Sequence, residues 1–200
     1  MLLRRANAYL SERSKADVLR KIIHYVAAKN PCGNFLRQVR AYRYFKQWKL
    51  QLGRNVILNG LFFDISVGEG LNIYDHAIVD CGSPQAQLRI GKNCLLSYGA
   101  LISCAYKITL GDNVMIGEYT SVRDSTHNYK DLSRPMMWAG DIPGEIQIGN
   151  DVWIGRGCLI TPGAIIEDGV VVGANSIVKG RLESFGIYAG APAKLIKMRS

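Results

Sequence analysis

The sequence predicts an all-β solenoid, a stack of parallel coils, for most of its length. Every sixth residue from Ile148 to Val178 is aliphatic. Earlier triplets keep the same spacing: Val67, Ile73 and Val79; Ile90, Leu96 and Ile102; Leu110, Ile116 and Val122. A period of six excludes an α-helix, whose period is 3.6, and indicates short strands that each point one side chain inward. Three such strands would close a coil of about 18 residues, and stacked coils would bury aliphatic columns.

Composition agrees with tight turns and small packing residues. The 200 residues include 21 glycines but only 5 phenylalanines. No apolar run approaches the ~20 residues that a membrane-spanning helix needs, and the first residues lack the apolar centre of a secretory signal. We therefore expect a cytoplasmic protein. The five cysteines are odd in number and include no C-x-x-C pair, which favours a packing role over disulfides or a metal site.

Residues 1–50 are predicted to form a separate basic helical region. They carry 12 Lys and Arg against 2 acidic residues, a net charge of +10, whereas the remainder carries 13 against 14, a net charge of −1. Val18, Ile22 and Val26 have helical spacing, and a second basic, aromatic-rich stretch follows Gly33. This region either packs on the body with a solvated basic face or contacts an anionic membrane surface peripherally. No groove-reading motif is present, so nucleic acid is not an expected partner.

Breaks in the repeat indicate where loops leave the coil. The interval from Leu110 to Ile148 is 38 residues, so 38 − 18 = 20 extra residues leave the stack between Val122 and Ile146. Solenoids place insertions in loops, often on a binding face. His127 stands at the root of this excursion, and the sequence therefore predicts an extruded loop with a candidate catalytic histidine at its base.

The hexads in VWIGRGCLITPGAIIEDGVVVGANSIVKG, residues 152–180, resemble those of the hexapeptide-repeat acyltransferases. STHNYKD followed by IGNDVWIG resembles the sugar and xenobiotic O-acetyltransferase type. The resemblance covers about residues 52–197. It implies a left-handed parallel β-helix over residues 51–184, a coenzyme A-binding tail over residues 185–200, and a homotrimer whose active sites lie between subunits.

The resemblance further implies acetyl-CoA-dependent O-acetylation of a sugar hydroxyl, on a polysaccharide, a lipopolysaccharide precursor or a nucleotide sugar. His127 would be the general base. A sugar hydroxyl is a very weak acid at neutral pH, so a base must remove its proton as the new bond forms, and histidine titrates in the right range. Asp124 and Glu118 are the candidates for orienting the imidazole. An oxyanion donor is also needed, and a backbone N–H is the expected one.

Other site residues follow from positions that match the family. For the carbohydrate acceptor, Ser97 and Tyr119 occupy positions where relatives carry asparagines, and Trp138 in the extruded loop could cover a ligand. For coenzyme A, Trp153 offers a flat wall, although an aromatic residue at a subunit interface is the alternative. The remaining coenzyme A candidates lie in a small-residue turn, beside it, and in AGAPAKLIK: Gly173, Ala174, Ser176, Lys179, Gly190, Pro192 and Lys194.

Several alternatives stay open. His76 lies in IYDHAIVD, which resembles the D-H-A stretch of serine acetyltransferases, and is a rival base, whereas His24 is expected to be structural. The same fold could N-acetylate an amino-sugar nucleotide or serve as a non-catalytic scaffold for membrane or glycan. A zinc hydratase on this fold needs three histidine ligands, but the repeat contains only His76 and His127. No metal is therefore expected.

Overall fold

The computed structural model describes residues 50–60 and 64–200, together with Leu36, Val39, Tyr42 and Phe45. These four positions are helical, and Phe45 is buried against the core of the solenoid. The rest of the predicted basic helical region lies outside the described residues, so the helices and their membrane contact remain predictions. Across the described part of the chain, no helix has the length and apolar character needed to span a membrane.

Three parallel sheets form the sides of a prism. Sheet A contains β1 (Gln51–Leu52), β4 (Asn72–Ile73), β7 (Leu95–Leu96), β10 (Met115–Ile116), β15 (Trp153–Ile154), β18 (Val171–Val172), β21 (Gly186–Ala189) and the antiparallel β22 (Lys194–Met198). Sheet B contains β2 (Ile57–Asn59), β5 (Ile78–Asp80), β8 (Leu101–Ser103), β11 (Ser121–Arg123), β16 (Leu159–Ile160) and β19 (Ile177–Val178). Sheet C contains β3 (Asp64–Val67), β6 (Gln87–Ile90), β9 (Lys107–Leu110), β14 (Ile146–Ile148), β17 (Ile165–Ile166) and β20 (Arg181–Leu182).

Side chains from equivalent strands stack inside the prism in columns. The column of sheet B, for example, consists of Leu58, Val79, Ile102, Val122, Ile160 and Val178. Every aliphatic residue of the predicted hexads is buried, and each full burial contributes about 1.5–3 kcal/mol. The predicted parallel β-solenoid is therefore confirmed, while its left-handed sense remains a prediction.

Within residues 50–60 and 64–200, the long insertions all leave the prism at one corner. We name the corners by the sheets that they join: corner AB (residues 53–56, 74–77, 97–100, 117–120, 155–158 and 173–176), corner BC (81–86, 104–106, 124–145, 161–164 and 179–180) and corner CA (68–71, 91–94, 111–114, 149–152 and 167–170). The registers of sheets B and C locate the extra residues at corner BC. The largest insertion there, residues 124–145, is the predicted extruded loop, which is thereby confirmed.

This insertion is a hairpin rather than a loose excursion. β12 (Ser125–His127) pairs in antiparallel register with β13 (Asp141–Pro143), and a 3₁₀ turn, η1 (Met136–Trp138), lies near the tip. The register places His127 opposite Asp141. The histidine therefore stands on a short sheet that continues directly from β11 of the prism.

The three outer faces differ in polarity. An apolar column follows the outside of sheet B: Ile57, Ile78, Leu101, Leu159 and Ile177, with Ser121 between the third and fourth. Sheet A exposes Leu95, Met115, Trp153, Val171 and Ile187. Sheet C instead carries ion pairs, Arg89 with Asp64 and Arg181 with Glu167. Two of the three faces are thus apolar, and they meet at corner AB.

The C-terminal tail belongs to the solenoid. β21 continues sheet A in parallel with β18, and β22 folds back antiparallel on β21. The predicted boundary between residues 184 and 185 therefore falls within the last coil and does not mark a structural break.

Candidate active site

Asp124 anchors the hairpin to the prism. Its carboxylate is fully buried and accepts hydrogen bonds from the backbone N–H groups of Ala105 and Tyr106, both at 2.8 Å. On the returning strand, the Gly144 N–H donates to the Asp124 carbonyl at 2.7 Å. The expectation that Asp124 orients His127 is wrong, because its side chain is engaged by the preceding coil. Glu118 is also engaged elsewhere, since it accepts the Ser97 hydroxyl at 3.2 Å.

Asp141 is the carboxylate that contacts His127. Its Oδ1 lies 3.0 Å from His127 Nδ1, and 77% of the histidine side chain is exposed. In the described part of the chain, Nε2 has no partner and faces solvent. A carboxylate on Nδ1 favours the tautomer whose Nε2 is free to accept a proton. The sequence did not reveal Asp141, because it stands at the far end of the loop and only the hairpin register brings it back.

Ser97 and Tyr119, the predicted acceptor residues, lie at corner AB. Ser97 is buried against Glu118. Tyr119 has a left-handed backbone (φ 57°) and is exposed, and its ring covers Gly99, where an added Cβ would approach the ring to 2.7 Å. His76, also left-handed and exposed, occupies the same corner. Within one chain the structure does not bring these residues to His127, because the width of sheet B separates the two corners.

Trp138 lies at the tip of the extruded hairpin. It ends η1 and is exposed, as are the other apolar residues of the tip, Tyr129, Leu132, Met136 and Met137. Such a cluster of exposed apolar side chains is typical of a surface that contacts a ligand or a partner.

Trp153 and Ala174, both predicted to contact coenzyme A, are exposed to solvent. Trp153 lies on the outer face of sheet A, 52% exposed, between Met115 and Val171. Ala174 is exposed at corner AB, and a Cβ on the adjacent Gly173 would approach Ala189 to 3.0 Å. A small residue is therefore needed at Gly173 because the next coil is close.

Ser176 has a structural role in the same turn. Its fully buried hydroxyl donates to the Gly173 carbonyl at 2.7 Å and accepts from the Gly190 N–H at 3.1 Å. The hydroxyl is therefore used within the chain, where it shapes the turn, and a contact of this turn with coenzyme A stays a prediction.

The remaining coenzyme A candidates surround the last coil. Gly190 has a φ of 106°, which favours glycine, and Pro192 is exposed beside it. Lys179 is exposed at corner BC, and Lys194 is exposed at the start of β22. Neither lysine forms an ion pair with the described residues, so both are available to an anionic ligand.

Cysteine chemistry is not a feature of the described part of the chain. Cys81, Cys94, Cys104 and Cys158 are free and buried. Burial raises the pKa of the Cys94 and Cys158 thiols, and a hydrogen bond with Cys81, together with burial, raises the pKa of Cys104. A thiol must ionise to act as a nucleophile, so these cysteines are packing residues, as predicted.

Comparisons with known proteins agree with this architecture. The family model described as bacterial transferase hexapeptide (six repeats) matches residues 145–180. A probable acetyltransferase of Mycobacterium tuberculosis, Rv3034c, is 27% identical over 173 residues, which cover 78% of this chain and 57% of that protein. The galactoside O-acetyltransferase of Escherichia coli is 32% identical over 132 residues, 66% of this chain and 63% of that protein. The chain thus spans less than two thirds of either relative.

Among solved structures, a mutant of the N-acyltransferase AntD of Bacillus cereus, in complex with dTDP and coenzyme A, has a similar fold. The TM-score is 0.67 at 22% identity, over 82% of this chain and 89% of that one. The repeat, the confirmed solenoid and these relatives agree. Residues 145–180 thus match the bacterial transferase hexapeptide family model, and the chain is similar to known acetyltransferases.

Proposed function

We propose that this protein transfers an acetyl group from acetyl-CoA to a sugar hydroxyl, with His127 as the general base. The observation that carries the proposal is the pair at the root of the hairpin: a carboxylate on Nδ1 and a free, exposed Nε2. A histidine that only stabilised a loop would not need an open ring nitrogen. The galactoside O-acetyltransferase among its relatives supports a sugar acceptor.

The chemistry requires one proton to move twice. His127 Nε2 accepts the proton of the acceptor hydroxyl while that oxygen attacks the thioester carbonyl. The carbon–sulfur bond then breaks, and the imidazolium returns the proton to the departing thiolate, giving an acetyl ester and a free thiol. Asp141 stabilises the positive charge that His127 carries between these steps. A general base of this kind contributes about 10²- to 10⁴-fold.

The surface of the last coils fits a coenzyme A-type donor. Trp153 offers a flat apolar wall, the Gly173–Ala174 turn allows close backbone approach, and the unpaired cations of Lys179 and Lys194 match phosphate groups. Bound acetyl-CoA would supply the activated acyl group, and these residues would hold it. Gly190 and Pro192 would shape the turn next to it.

We further propose a homotrimer. Sheets A and B both present apolar outer faces, which is typical of surfaces that are covered in an assembly. Ser97 and Tyr119 lie at corner AB of one chain and His127 lies at corner BC, so an acceptor site that used all three would need a neighbouring copy. An interface between sheet A of one copy and sheet B of the next satisfies both observations.

The test measures thiol release from acetyl-CoA over a panel of sugars. We expect His127→Asn to lower kcat by about 10²- to 10⁴-fold, because asparagine can still contact Asp141 but cannot accept a proton. His76→Asn is the matched control, since asparagine tolerates the left-handed backbone there, and we expect it to stay within about twofold of wild type. If the two variants behaved the other way round, the base would be His76 and the proposed mechanism would be wrong.

N-acetylation of an amino-sugar nucleotide is the second candidate. The similarity to AntD, a solved N-acyltransferase in complex with dTDP, favours it. An amine is the better nucleophile, so dependence on His127 would be weaker. Comparing a 4-amino-sugar nucleotide with plain hexosides in the same assay separates the two candidates. Thermal stabilisation by coenzyme A would count against a purely structural scaffold, because stabilisation requires binding to the folded state.

A further inference from the structure

We propose that the acceptor carries an anionic group and that Arg123 binds it, a proposal that rests on the proposed acetyl transfer at His127. Arg123 is the last residue of β11, exposed on the outer face of sheet B where the chain enters the hairpin. The shared chemistry is that of a carboxylate or a phosphate on the sugar. The guanidinium fork suits either group.

The register places Arg123 in a polar column along the edge of sheet B next to corner BC. Asn59, Asp80, Ser103 and Arg123 are paired neighbours in this column. Thr161 follows one residue beyond the paired Val122 and Ile160. Ser103 and Thr161 therefore flank Arg123 at about one strand spacing, 4.7–4.9 Å, on either side, and the nearest acidic member, Asp80, is two strands away. Ser103 thus offers a hydroxyl on one side of the cation, while the Thr161 hydroxyl on the other side donates to the Val178 carbonyl at 2.9 Å.

Most described arginines already have a carboxylate partner. The ion pairs are Arg54–Asp75, Arg89–Asp64, Arg134–Asp131, Arg181–Glu167 and Arg199–Asp151. Across residues 50–60 and 64–200, only Arg123 and Arg156 form no ion pair. Of these two, Arg156 lies at corner AB, whereas Arg123 lies on the edge that leads to His127. An exposed guanidinium without a partner beside a free imidazole indicates a place for an anion.

Arg123 is close enough to His127 to act on the same acceptor. His127 follows Arg123 by four positions, and four residues of extended chain cover at most about 13–14 Å. The guanidinium can therefore hold the charged group of a sugar, or of the next sugar in a glycan, while a hydroxyl reaches Nε2. Since Asp141 also lies at this root, with Nδ1 of His127, its negative charge keeps the anion on the Arg123 side.

The experiment compares three acceptors that differ in charge: methyl glucoside, methyl glucuronide and glucose 1-phosphate. We expect wild type to show a higher kcat/KM for at least one charged acceptor than for methyl glucoside. Arg123→Met should lower the kcat/KM for that charged acceptor at least 10-fold, chiefly by raising KM, and so remove the preference. Turnover of the neutral glucoside should stay within about twofold. Lys92→Met, which removes an exposed unpaired cation at corner CA, is the matched control and should change neither. Arg123→Lys distinguishes a carboxylate acceptor from a phosphate acceptor. Lysine keeps the charge but lacks the guanidinium fork, so kcat/KM should fall more for methyl glucuronide than for glucose 1-phosphate.

Isothermal calorimetry measures the affinity of wild type and Arg123→Met for the same three compounds. Because it records binding alone, this test does not depend on turnover. Equal affinity for charged and neutral sugars, or equal losses for all acceptors in Arg123→Met, would overturn the inference while leaving acetyl transfer intact. Binding of a charged sugar that depends on Arg123, without any thiol release, would support the inference and reject the proposed activity.

Discussion

At the scale of single residues, the two ring nitrogens of His127 have different environments. Nδ1 faces the Asp141 carboxylate at 3.0 Å, and Nε2 faces solvent. A base that begins neutral and becomes charged during the reaction benefits from a fixed negative neighbour, which also fixes its tautomer. Asp141 is exposed enough that hairpin geometry, rather than burial, holds the pair together.

Asp141→Asn tests this positioning role. Asparagine occupies the same space but loses the charge, so we expect kcat to fall by roughly 10- to 10³-fold with little change in the KM for acetyl-CoA. Steady-state thiol release measures both constants. Asp131→Asn, in the same hairpin and paired with Arg134, is the control and should keep wild-type kcat. Partial recovery in Asp141→Glu would support charge as the cause, and a KM effect without a kcat effect would contradict it.

At the scale of elements, the hairpin is rigid at its base because both of its strands are attached to the coil below. The Asp124 carboxylate accepts two backbone N–H groups of residues 105 and 106, and its carbonyl accepts the Gly144 N–H. These N–H groups are part-buried, and loss of the acceptor of such a group costs up to about 1–3 kcal/mol. Asp124 thus ties both strands of the hairpin to the neighbouring backbone.

Asp124→Asn should therefore destabilise the protein. The amide nitrogen at this fully buried position faces a backbone donor, so one part-buried N–H loses its acceptor, and we expect the free energy of unfolding to fall by about 1–3 kcal/mol. Urea unfolding followed by circular dichroism measures it. Asp168→Asn is the matched control, because the exposed Asp168 carboxylate also accepts a backbone N–H, that of Asn150, between neighbouring coils. This variant should lower the free energy of unfolding by less than Asp124→Asn does. Equal losses in the two variants would show that burial of Asp124 is unimportant.

At the scale of the whole molecule, the unequal faces of the prism suggest how copies meet. Sheet C is covered by its own ion pairs, whereas sheets A and B expose apolar columns to solvent in a single chain. Association would bury these columns and would also bring corner AB of one copy toward the hairpin of another. Assembly and catalysis should then fail together.

Leu101→Glu, on the outer face of sheet B, tests this link. A charge in the apolar column should convert the assembly to a 22.1 kDa monomer and reduce thiol release at least 10-fold, because an unpaired charge is costly to bury. Light scattering after size exclusion gives the mass, and circular dichroism checks that the variant folds. Thr109→Glu, on the outer face of sheet C, is the control. A trimer that survives Leu101→Glu would place the interface elsewhere.

The sequence by itself determined the solenoid, because an inward residue in every short strand is a local requirement that leaves a period of six. It also located His127, since inserted residues must leave a stacked coil as a loop. Only the tertiary structure decided which groups meet. Asp141, and not Asp124, lies beside the imidazole, because the antiparallel register of the hairpin joins residues that are distant in the chain. Ser97 and Tyr119 lie at a different corner from His127, because the six-residue spacing along a coil does not give the distance between its corners.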